Sequence, residues 1–285
     1  MFLEEPMILV TGATGNVGRR VLARLTAAGH SVRAVVRDPS RAKLPAGVAA
    51  VAADLADPET VRPHLDGVQA VFLIWPFVDT AATVQLAPRV AHVLASAGSP
   101  RVVYVSAAYA DTDPDSFWAV VERAIAGSGL PWTVLRPTGI ATNTLGWVGA
   151  IRTEGVVRWP YGTAARSLIH QDDIAAVAVE ALTSDRHDRR TYILTGPETV
   201  TQAEQVRIIG TAVGRDVRWQ DVPAEAVRPM LVEAFGNPAF ADAALASWAT
   251  MVEKPERVTD DVATVLGRPA RTFAQWAADH AADFA

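Results

Sequence analysis

A glycine-punctuated turn near the start of the sequence constrains this chain most. The apolar run Met7–Val10 leads into glycines at 12, 15 and 18, and Arg19–Gly29 then carries apolar residues at helical spacing. In this order of strand, turn and helix, Gly12 permits a tight turn, Gly15 lets the backbone approach a pyrophosphate, and Gly18 lets the helix pack closely on the strand. The N–H groups at the helix start favour phosphate. The pattern predicts a dinucleotide-binding turn; the alternative is a strand-to-helix turn that only needs flexible glycines.

The rest of the first half alternates strands and helices. We predict strands at Val32–Val36, Val48–Ala53, Val68–Ile74, Arg101–Ser106 and Pro131–Pro137, and helices at Pro58–Leu65, Thr80–Ala97 and Asp115–Ser128. Strands rich in Val, Ile and Leu with helical crossovers indicate an α/β protein with a Rossmann-like doubly wound parallel sheet.

After Pro137 the pattern becomes irregular, with a predicted helix at Asp172–Leu182 and a strand at Thr191–Leu194. We therefore predict an NAD(P)-binding domain over residues 1–140, with a later strand at about 190–196 joining its sheet. Residues 141–285 mainly form a smaller C-terminal substrate lobe over the C-terminal ends of the strands, where doubly wound sheets bind ligands.

Composition excludes several classes of protein. The 285 residues include no cysteine, which rules out disulfides and thiolate metal sites, and the net charge of -5 argues against general nucleic-acid binding. No apolar run is long enough for a bilayer, and residues 1–6 lack the features of a signal peptide. The histidines lack metal-ligand spacing, so no metal is predicted. We expect a cytoplasmic monomer or homodimer that acts on a small-molecule substrate, with no nucleic-acid or membrane partner.

The residues that end the second and third strands bear on the cofactor. Arg37 stands where NAD-specific folds carry an acid, and a guanidinium there can bind a 2′-phosphate, although Asp38 follows directly. This favours NADPH (NADP) over NADH; the alternative is that Arg37 is a solvated surface charge. Asp54 and Leu55 either contact the adenine or, for Asp54, cap the helix that begins near Pro58.

Several motifs together resemble a known family. They are Thr11–Gly18 with its T-G-x-x-G-x-x-G spacing, Val32–Pro39, Asp54–Leu55, Ser128–Pro137, Arg166–Ala175 and Gly267–Trp276. They are similar to the NmrA-like atypical short-chain dehydrogenase/reductases, which include relatives of quinone oxidoreductase and isoflavone reductase. The resemblance implies a Rossmann domain, NAD(P)H binding and a small substrate lobe. It also implies cofactor contacts at Thr11, Gly12, Ala13, Thr14, Gly15, Asn16, Val17, Arg37, Asp54, Leu55, Trp75, Pro76, Phe77, Pro137 and Thr138.

The catalytic couple of the wider superfamily is missing. Reductases of that superfamily use a Tyr whose pKa is lowered by a Lys four residues later, together with a Ser, because a phenol alone is a poor acid at neutral pH. Ser106 ends the fifth strand where that serine would lie, but Tyr109 is followed by Asp113 instead of lysine. The only lysines are Lys43 and Lys254.

The remaining candidates each have a structural alternative. The predicted catalytic residues are Tyr109, Ser106 and Glu122, which lies on a helix at Phe117–Ala126; Tyr109 is otherwise an exposed loop residue and Glu122 a solvated helix carboxylate. Tyr161 and His170 are further possible proton donors, and His170 is interpreted as structural because it precedes an apparent helix start at Asp172–Asp173.

Three functions remain open. The first is an NADPH-dependent oxidoreductase acting on a small apolar carbonyl, quinone or aromatic polyketide-like substrate, with Asn143 and Trp147 shaping the pocket and Tyr109 or water completing protonation. The alternatives are a non-catalytic NAD(P)-sensing regulatory protein and an isomerase or dehydratase that uses the nicotinamide transiently. The aromatic second half favours the first, and the missing lysine favours the second.

Overall fold

The computed structural model describes residues 7–285 except 97 and 99. The strands are β1 (Met7–Val10), β2 (Ser31–Val36), β3 (Ala49–Ala52), β4 (Val68–Ile74), β5 (Arg101–Val105), β6 (Trp132–Pro137), β7 (Val156–Trp159), β8 (Ala165–Arg166), β9 (Arg190–Leu194), β10 (Val200–Thr201) and β11 (Arg218–Asp221). The α-helices are α1 (Gly18–Ala27), α2 (Thr80–Ala95), α3 (Phe117–Ala126), α4 (Val148–Glu154), α5 (Gln171–Thr183), α6 (Gln202–Ala212), α7 (Ala224–Phe235), α8 (Pro238–Glu253), α9 (Asp261–Leu266), α10 (Phe273–Asp279) and α11 (Ala281–Phe284). Residues 1–6, which were predicted not to form a signal peptide, and Ala97, the predicted end of the second crossover helix, lie outside the described residues.

The chain divides into two compact units. The first unit comprises the described residues from 7 to 137 together with residues 171–194, and the second comprises residues 138–170 and 195–285. Helix α5, which follows the predicted domain boundary in sequence, belongs to the first unit. None of the helices among the described residues combines the length and apolar character needed to cross a membrane.

The first unit is built on a seven-stranded sheet in the order β3-β2-β1-β4-β5-β6-β9. All neighbouring strands in it are parallel. Because right-handed crossovers lead from β1 outwards to β2 and from β4 the other way to β5, helices α1 and α2 cover opposite faces. Helix α5 packs against α1 and helix α3 against α2. The predicted Rossmann-like α/β fold is confirmed, with the strand order of dinucleotide-binding proteins.

One predicted crossover helix was wrong. Residues 58–65 do not form an α-helix but two short 3-10 turns, Pro58–Thr60 and Arg62–His64. Pro63 lacks the backbone N–H that a continuing helix would require at that position, so the chain breaks into separate turns. The apolar residues Val61 and Leu65 are still buried, which explains why their spacing indicated a helix.

The second unit has a core of its own. Strand β7 pairs with β11 in parallel, and β8 pairs with β10 antiparallel. Trp276 and Phe284 from the C-terminal helices are completely buried with Ile151, Val206 and Ile209. The four short strands were not predicted because runs of two to four residues carry too little periodicity to be distinguished from loops.

Candidate functional site

The turn between β1 and α1 has the geometry of a phosphate cradle. Gly12 has a positive φ of 60°. A Cβ atom at Gly18 would lie 2.1 Å from the carbonyl oxygen of Gly12, so only glycine lets α1 start this close to the strand. No side chain caps α1, and its first turn carries no acid. The positive end of the helix dipole is therefore left for an anion, and the turn fits a dinucleotide pyrophosphate.

The residues predicted to contact the cofactor here divide into exposed and buried sets. Gly12, Thr14, Gly15 and Asn16 are exposed and present their backbone, while Thr11, Ala13 and Val17 are buried. The Thr11 hydroxyl accepts the Ile74 N–H at 2.8 Å and donates to the Phe72 carbonyl at 3.2 Å. Thr11 thus joins the ends of β1 and β4 and holds the turn in place.

At the end of β2, Arg37 and Asp38 are both exposed but differ in their contacts. Asp38 Oδ1 accepts hydrogen bonds from the Ser40 N–H at 3.0 Å and the Ser40 hydroxyl at 2.6 Å, which caps a short 3-10 turn. Arg37 makes no hydrogen bond or ion pair with the residues that the structure describes. The arginine therefore remains available where the acid is engaged.

The other predicted contact residues surround the ends of the later strands. Asp54 Oδ1 accepts the Ala56 N–H at 2.9 Å, and Asp57 is the residue at the N-cap of the turn at Pro58, so Asp54 does not cap it. Leu55 is buried. In the Trp75–Phe77 loop, the Trp75 indole N–H donates to the Thr83 hydroxyl at 3.1 Å, and Pro76 is exposed. Pro137 ends β6.

Thr138 lies in the second unit, where its hydroxyl donates to the Ser167 carbonyl at 2.8 Å. The indole N–H of Trp75 and the hydroxyl of Thr138 are thus both used within the protein. A cofactor contact by either residue would rest on the remaining surface of its side chain or on its backbone.

Two of the predicted catalytic residues meet in a polar cluster at the carboxyl end of the sheet. The Ser106 hydroxyl donates to Glu122 Oε1 at 2.5 Å. Arg136 donates to both oxygens of Glu122, through Nε at 3.0 Å and Nη2 at 2.6 Å, and its Nη1 reaches Asp111 at 2.9 Å. The hydrogen-bonded Glu122 carboxylate raises the pKa of Arg136, and Asp111 adds to that shift. The Ser106 hydroxyl thus donates its single proton to a carboxylate that also accepts two hydrogen bonds from Arg136.

Tyr104 lies in the same part of the sheet but cannot act as an acid. Its side chain is completely buried on β5, and its hydroxyl makes no hydrogen bond of normal geometry. Burial raises the pKa of Tyr104 far above its usual range, and the nearby Glu122 carboxylate contributes. The phenol therefore stays protonated at any physiological pH.

Tyr109 has the opposite environment. It lies in the 3-10 turn Ala108–Asp111 just beyond β5, is exposed, and its ring centroid is 6.0 Å from that of Trp118. Its hydroxyl forms no hydrogen bond with the described part of the chain. Among the three predicted catalytic residues, Tyr109 alone presents a polar atom that no other described side chain occupies.

His170 and Tyr161, the two further possible proton donors, both make contacts within the protein. His170 is 1% exposed, and its Nε2 lies 3.3 Å from Asp279 Oδ2. Helix α5 begins at Gln171, one residue before the predicted start, so Asp172 and Asp173 lie in its first turn and neither is its N-cap. Tyr161 adopts a left-handed backbone with φ of 64°, and its carbonyl accepts the Gln202 side-chain amide at 3.0 Å.

The second unit contains a cavity of about 410 Å³, within the range of small-molecule sites. Its apolar wall is formed by Trp147, Trp159, Trp248, Phe235, Leu231, Leu168 and Met230. The polar groups that line it are few, namely Asn143, Thr144, Arg166, Gln202 and Gln205. Ring contacts order the wall, since the Trp159 centroid lies 5.7 Å from that of Trp248 and 6.4 Å from that of Trp147. Asn143 and Trp147 lie where the sequence predicted a pocket.

Comparison with known proteins identifies the chain. Residues 12–185 match the family described as NAD(P)H-binding. The chain belongs to this family. It is 39% identical over 98% of its length to the (4-alkanoyl-5-oxo-2,5-dihydrofuran-3-yl)methyl phosphate reductase of Streptomyces griseus, covering 99% of that protein. It is 35% identical to the NAD(P)H azoreductase of Xenophilus azovorans, over 98% of this chain and 99% of that one.

Solved structures agree on the fold of this NAD(P)H-binding family member. The NADPH-dependent quinone oxidoreductase QOR2 of Escherichia coli, in complex with NADPH, superposes with a TM-score of 0.81 at 24% identity, covering 96% of this chain and 99% of that one. The resemblance to the NmrA-like atypical short-chain dehydrogenase/reductases is confirmed. The relatives also confirm the oxidoreductase class and NAD(P)H as its cofactor.

Sequence reasoning missed several residues that shape these sites. Arg136 interrupts the apolar strand β6, and a charged residue in such a strand indicates a buried ion pair. Arg166 begins the motif Arg166–Ala175, but neither that motif nor the sequence around Gln202 and Gln205 indicates a cavity, because these segments form short strands and a helix start whose partners are distant in sequence.

Proposed function

We propose that this protein is an NADPH-dependent reductase of small, planar, conjugated acceptors such as quinones and unsaturated carbonyl compounds. The observation that carries the proposal is the cavity of the second unit, where three tryptophans and Phe235 surround a volume suited to one small aromatic molecule. Flat aromatic walls favour flat ligands through stacking and edge contacts, whereas a sugar-like substrate would need many more polar partners.

The named substrates of the relatives support a conjugated acceptor. An azo compound, a quinone and a (4-alkanoyl-5-oxo-2,5-dihydrofuran-3-yl)methyl phosphate share a double bond conjugated with a second π-system or with carbonyl groups. When such a group accepts a hydride, the negative charge is delocalised over several atoms, so the reaction depends less on a strong acid. The missing Tyr-x-x-x-Lys couple is consistent with this chemistry.

The surroundings of the three predicted catalytic residues support different roles. Ser106 and Glu122 are engaged with each other and with Arg136, so we assign them to holding the end of the sheet. Tyr109 has an exposed hydroxyl and completes protonation directly or through water. When bound, NADPH supplies the hydride, and the chain positions the acceptor and excludes competing water.

We also propose a preference for NADPH over NADH. Asp38, the acid that would favour a free ribose 2′-hydroxyl, is held by Ser40, while Arg37 has no partner among the described residues. A free guanidinium beside an engaged carboxylate suits a 2′-phosphate, which accepts two hydrogen bonds from one arginine.

Turnover tests the proposed reaction. NADPH absorbance at 340 nm is followed with menadione and, as the unconjugated counterpart, cyclohexanone. We expect oxidation with menadione only. Equal rates with both compounds, or tight NADPH binding without turnover of any quinone, would contradict the proposal, and the second outcome would support the regulatory alternative.

Cofactor binding tests the preference separately. Arg37→Ala should weaken NADPH binding by about tenfold or more, because a hydrogen bond to a charged group contributes about 1.5–3 kcal/mol, and should leave NADH binding nearly unchanged. Arg89→Ala, which removes an exposed arginine on α2, is the matched control. Calorimetric titration with both cofactors gives the result, and an unchanged NADPH/NADH ratio in Arg37→Ala would refute the assignment.

A further inference from the structure

The cavity of the second unit contains one charged group, Arg166, whose hydrogen-bonding capacity is largely unused. Its side chain is 14% exposed, and Nη2 lies 3.6 Å from Glu256 Oε1, which is an ion pair without a hydrogen bond. The guanidinium forms no hydrogen bond with the residues described in this structure, and its buried Nε has no partner. Arg166 therefore offers N–H donors at the wall of an otherwise apolar site.

The backbone around the cavity holds this guanidinium in place. A Cβ atom at Gly139 would lie 2.3 Å from Arg166 Nη2 and 2.6 Å from Leu168 Cδ2, so the arginine packs directly on the glycine backbone. Glu256 is anchored as well, because its Oε2 accepts the Ser167 N–H at 2.9 Å. An arginine fixed between a glycine and an anchored carboxylate is organised for binding before any ligand arrives.

Two glutamines, Gln202 and Gln205, provide hydrogen-bond acceptors, in contrast to the N–H donors of Arg166. The Gln202 amide nitrogen donates to the carbonyls of Pro160 at 3.1 Å and Tyr161 at 3.0 Å, and the Gln205 amide nitrogen donates to the Val200 carbonyl at 3.1 Å. Because those partners are all acceptors, the orientation of both amides is determined, and each retains its oxygen for a ligand. Both side chains line the cavity and are almost completely buried.

The charges of the cavity are already balanced. Arg166 is the one charged lining residue among those described, and Glu256 neutralises it from behind. An added anion would face both the Glu256 carboxylate and the two glutamine oxygens, and would lose its hydration in an apolar enclosure. A neutral ligand avoids both the repulsion by these oxygens and the loss of a charged group's hydration.

We infer that this cavity selects neutral planar aromatic compounds that carry an acceptor oxygen for Arg166 and a hydroxyl or N–H donor for Gln202 and Gln205. The inference rests on the proposed function, since it defines the substrate class of that same cavity. Hydroxylated quinones and hydroxyaryl ketones have this pattern, whereas carboxylated or sulfonated aromatics do not.

Four probes of similar size separate the contributions when binding is measured by isothermal titration calorimetry without cofactor. They are menadione with acceptor oxygens, 2-naphthol with a donor, 2-methylnaphthalene with neither and 2-naphthoate with a negative charge. We expect menadione and 2-naphthol to bind at least about tenfold more tightly than the other two, since each unmatched buried polar group or charge costs on the order of 1.4 kcal/mol or more.

Variants then test which residues cause the preference. The double variant Arg166→Gln/Glu256→Gln removes both charges together. It should weaken the binding of menadione about tenfold and leave the binding of 2-naphthol within about twofold of that of the unaltered protein. The single variant Glu256→Gln keeps the Ser167 contact but makes the cavity cationic. It should strengthen the binding of 2-naphthoate about tenfold or more and change the binding of menadione little. Circular dichroism and thermal unfolding establish that each variant is folded.

The outcomes are decisive in either direction. Tight binding of 2-naphthoate to the unaltered protein, or equal binding of menadione and 2-methylnaphthalene, would overturn the inference. Because these measurements use no NADPH, they are independent of turnover. If the protein shows the expected selectivity but never oxidises NADPH, the inference about the ligand site stands and the proposed function is wrong. If it reduces menadione without the selectivity, the proposed function stands and the inference about the ligand site is wrong.

Discussion

The Ser106–Glu122–Arg136 cluster in the first unit and the aromatic cavity in the second use polar groups in opposite ways. In the cluster, both Glu122 oxygens accept from Arg136, and the Ser106 proton is donated to the same carboxylate. In the cavity, Arg166 and two glutamine oxygens have no hydrogen-bond partners among the described residues. A polar set that satisfies itself stabilises a fold, and a set left open beside an apolar volume recognises a ligand.

Judged by residue type alone, the cluster would be taken for the functional site and the cavity for part of the core, which is the opposite of what their hydrogen bonds indicate. A serine that follows β5, a glutamate on α3 and an arginine in β6 resemble a catalytic site. The cavity, with three tryptophans and two glutamines, resembles an ordinary core with polar edges. The hydrogen bonds distinguish the two regions, because the polar groups of the cluster satisfy one another whereas Arg166 and the glutamine oxygens of the cavity have no hydrogen-bond partner among the described residues.

The largest expected effect comes from breaking the cluster. Arg136→Met leaves the Glu122 carboxylate, whose side chain is 13% exposed, without its cation. We expect the free energy of unfolding to fall by about 3–5 kcal/mol, because an unpaired buried charge is costly. Adding Glu122→Gln to this variant should recover most of the loss, as measured by urea denaturation.

A surface pair provides the control for that experiment. Arg158 and Glu154 form an ion pair with both side chains about half exposed. Arg158→Met should change the free energy of unfolding by less than about 1 kcal/mol, the usual limit for exposed pairs. Equal losses in the two arginine variants would mean that the cluster is no more than a surface contact.

An intermediate effect is expected when the wall of the cavity is opened. Trp248→Ala removes a half-buried ring that stands 5.7 Å from Trp159. We expect the KM for menadione to rise about tenfold, equivalent to about 1.4 kcal/mol, with kcat changed much less. Steady-state kinetics measure both.

Trp132→Ala is the matched control, since Trp132 is also half-buried but begins β6 in the first unit. Its KM should equal that of the unaltered protein. If Trp248→Ala also leaves KM unchanged, the cavity is not the substrate site.

The smallest effect is expected at Ser106. Ser106→Ala removes one hydrogen bond to a charged group and should lower the free energy of unfolding by about 1.5 kcal/mol. The kcat with menadione should change less than about threefold, whereas a residue in acid–base catalysis typically contributes 10²–10⁴-fold. A loss of kcat in that larger range with normal stability would restore Ser106 as a catalytic residue, as the sequence predicted.

Local features were the most predictable. The bounds of β4 were predicted residue for residue, and α3 lies within the helix predicted at Asp115–Ser128, because each is a continuous segment with its own periodicity. The helix predicted over residues 58–65 was wrong because Pro63 interrupts an apolar spacing that otherwise favours a helix. The cofactor contacts and the roles of Tyr109, Ser106 and Glu122 stay predictions.

The sequence by itself determined the dinucleotide turn, because the conformations and close approaches that it requires involve residues only a few positions apart. Gly12 and Gly18 meet within a single turn, so the glycine spacing records their contact directly. Tertiary structure decided which polar groups are satisfied. Ser106 meets Glu122 across 16 residues, and Glu256 reaches back to Ser167 across 89. No spacing rule encodes such pairs, since they depend on how separate elements pack, and that packing leaves the Arg166 guanidinium without a hydrogen bond to the described residues.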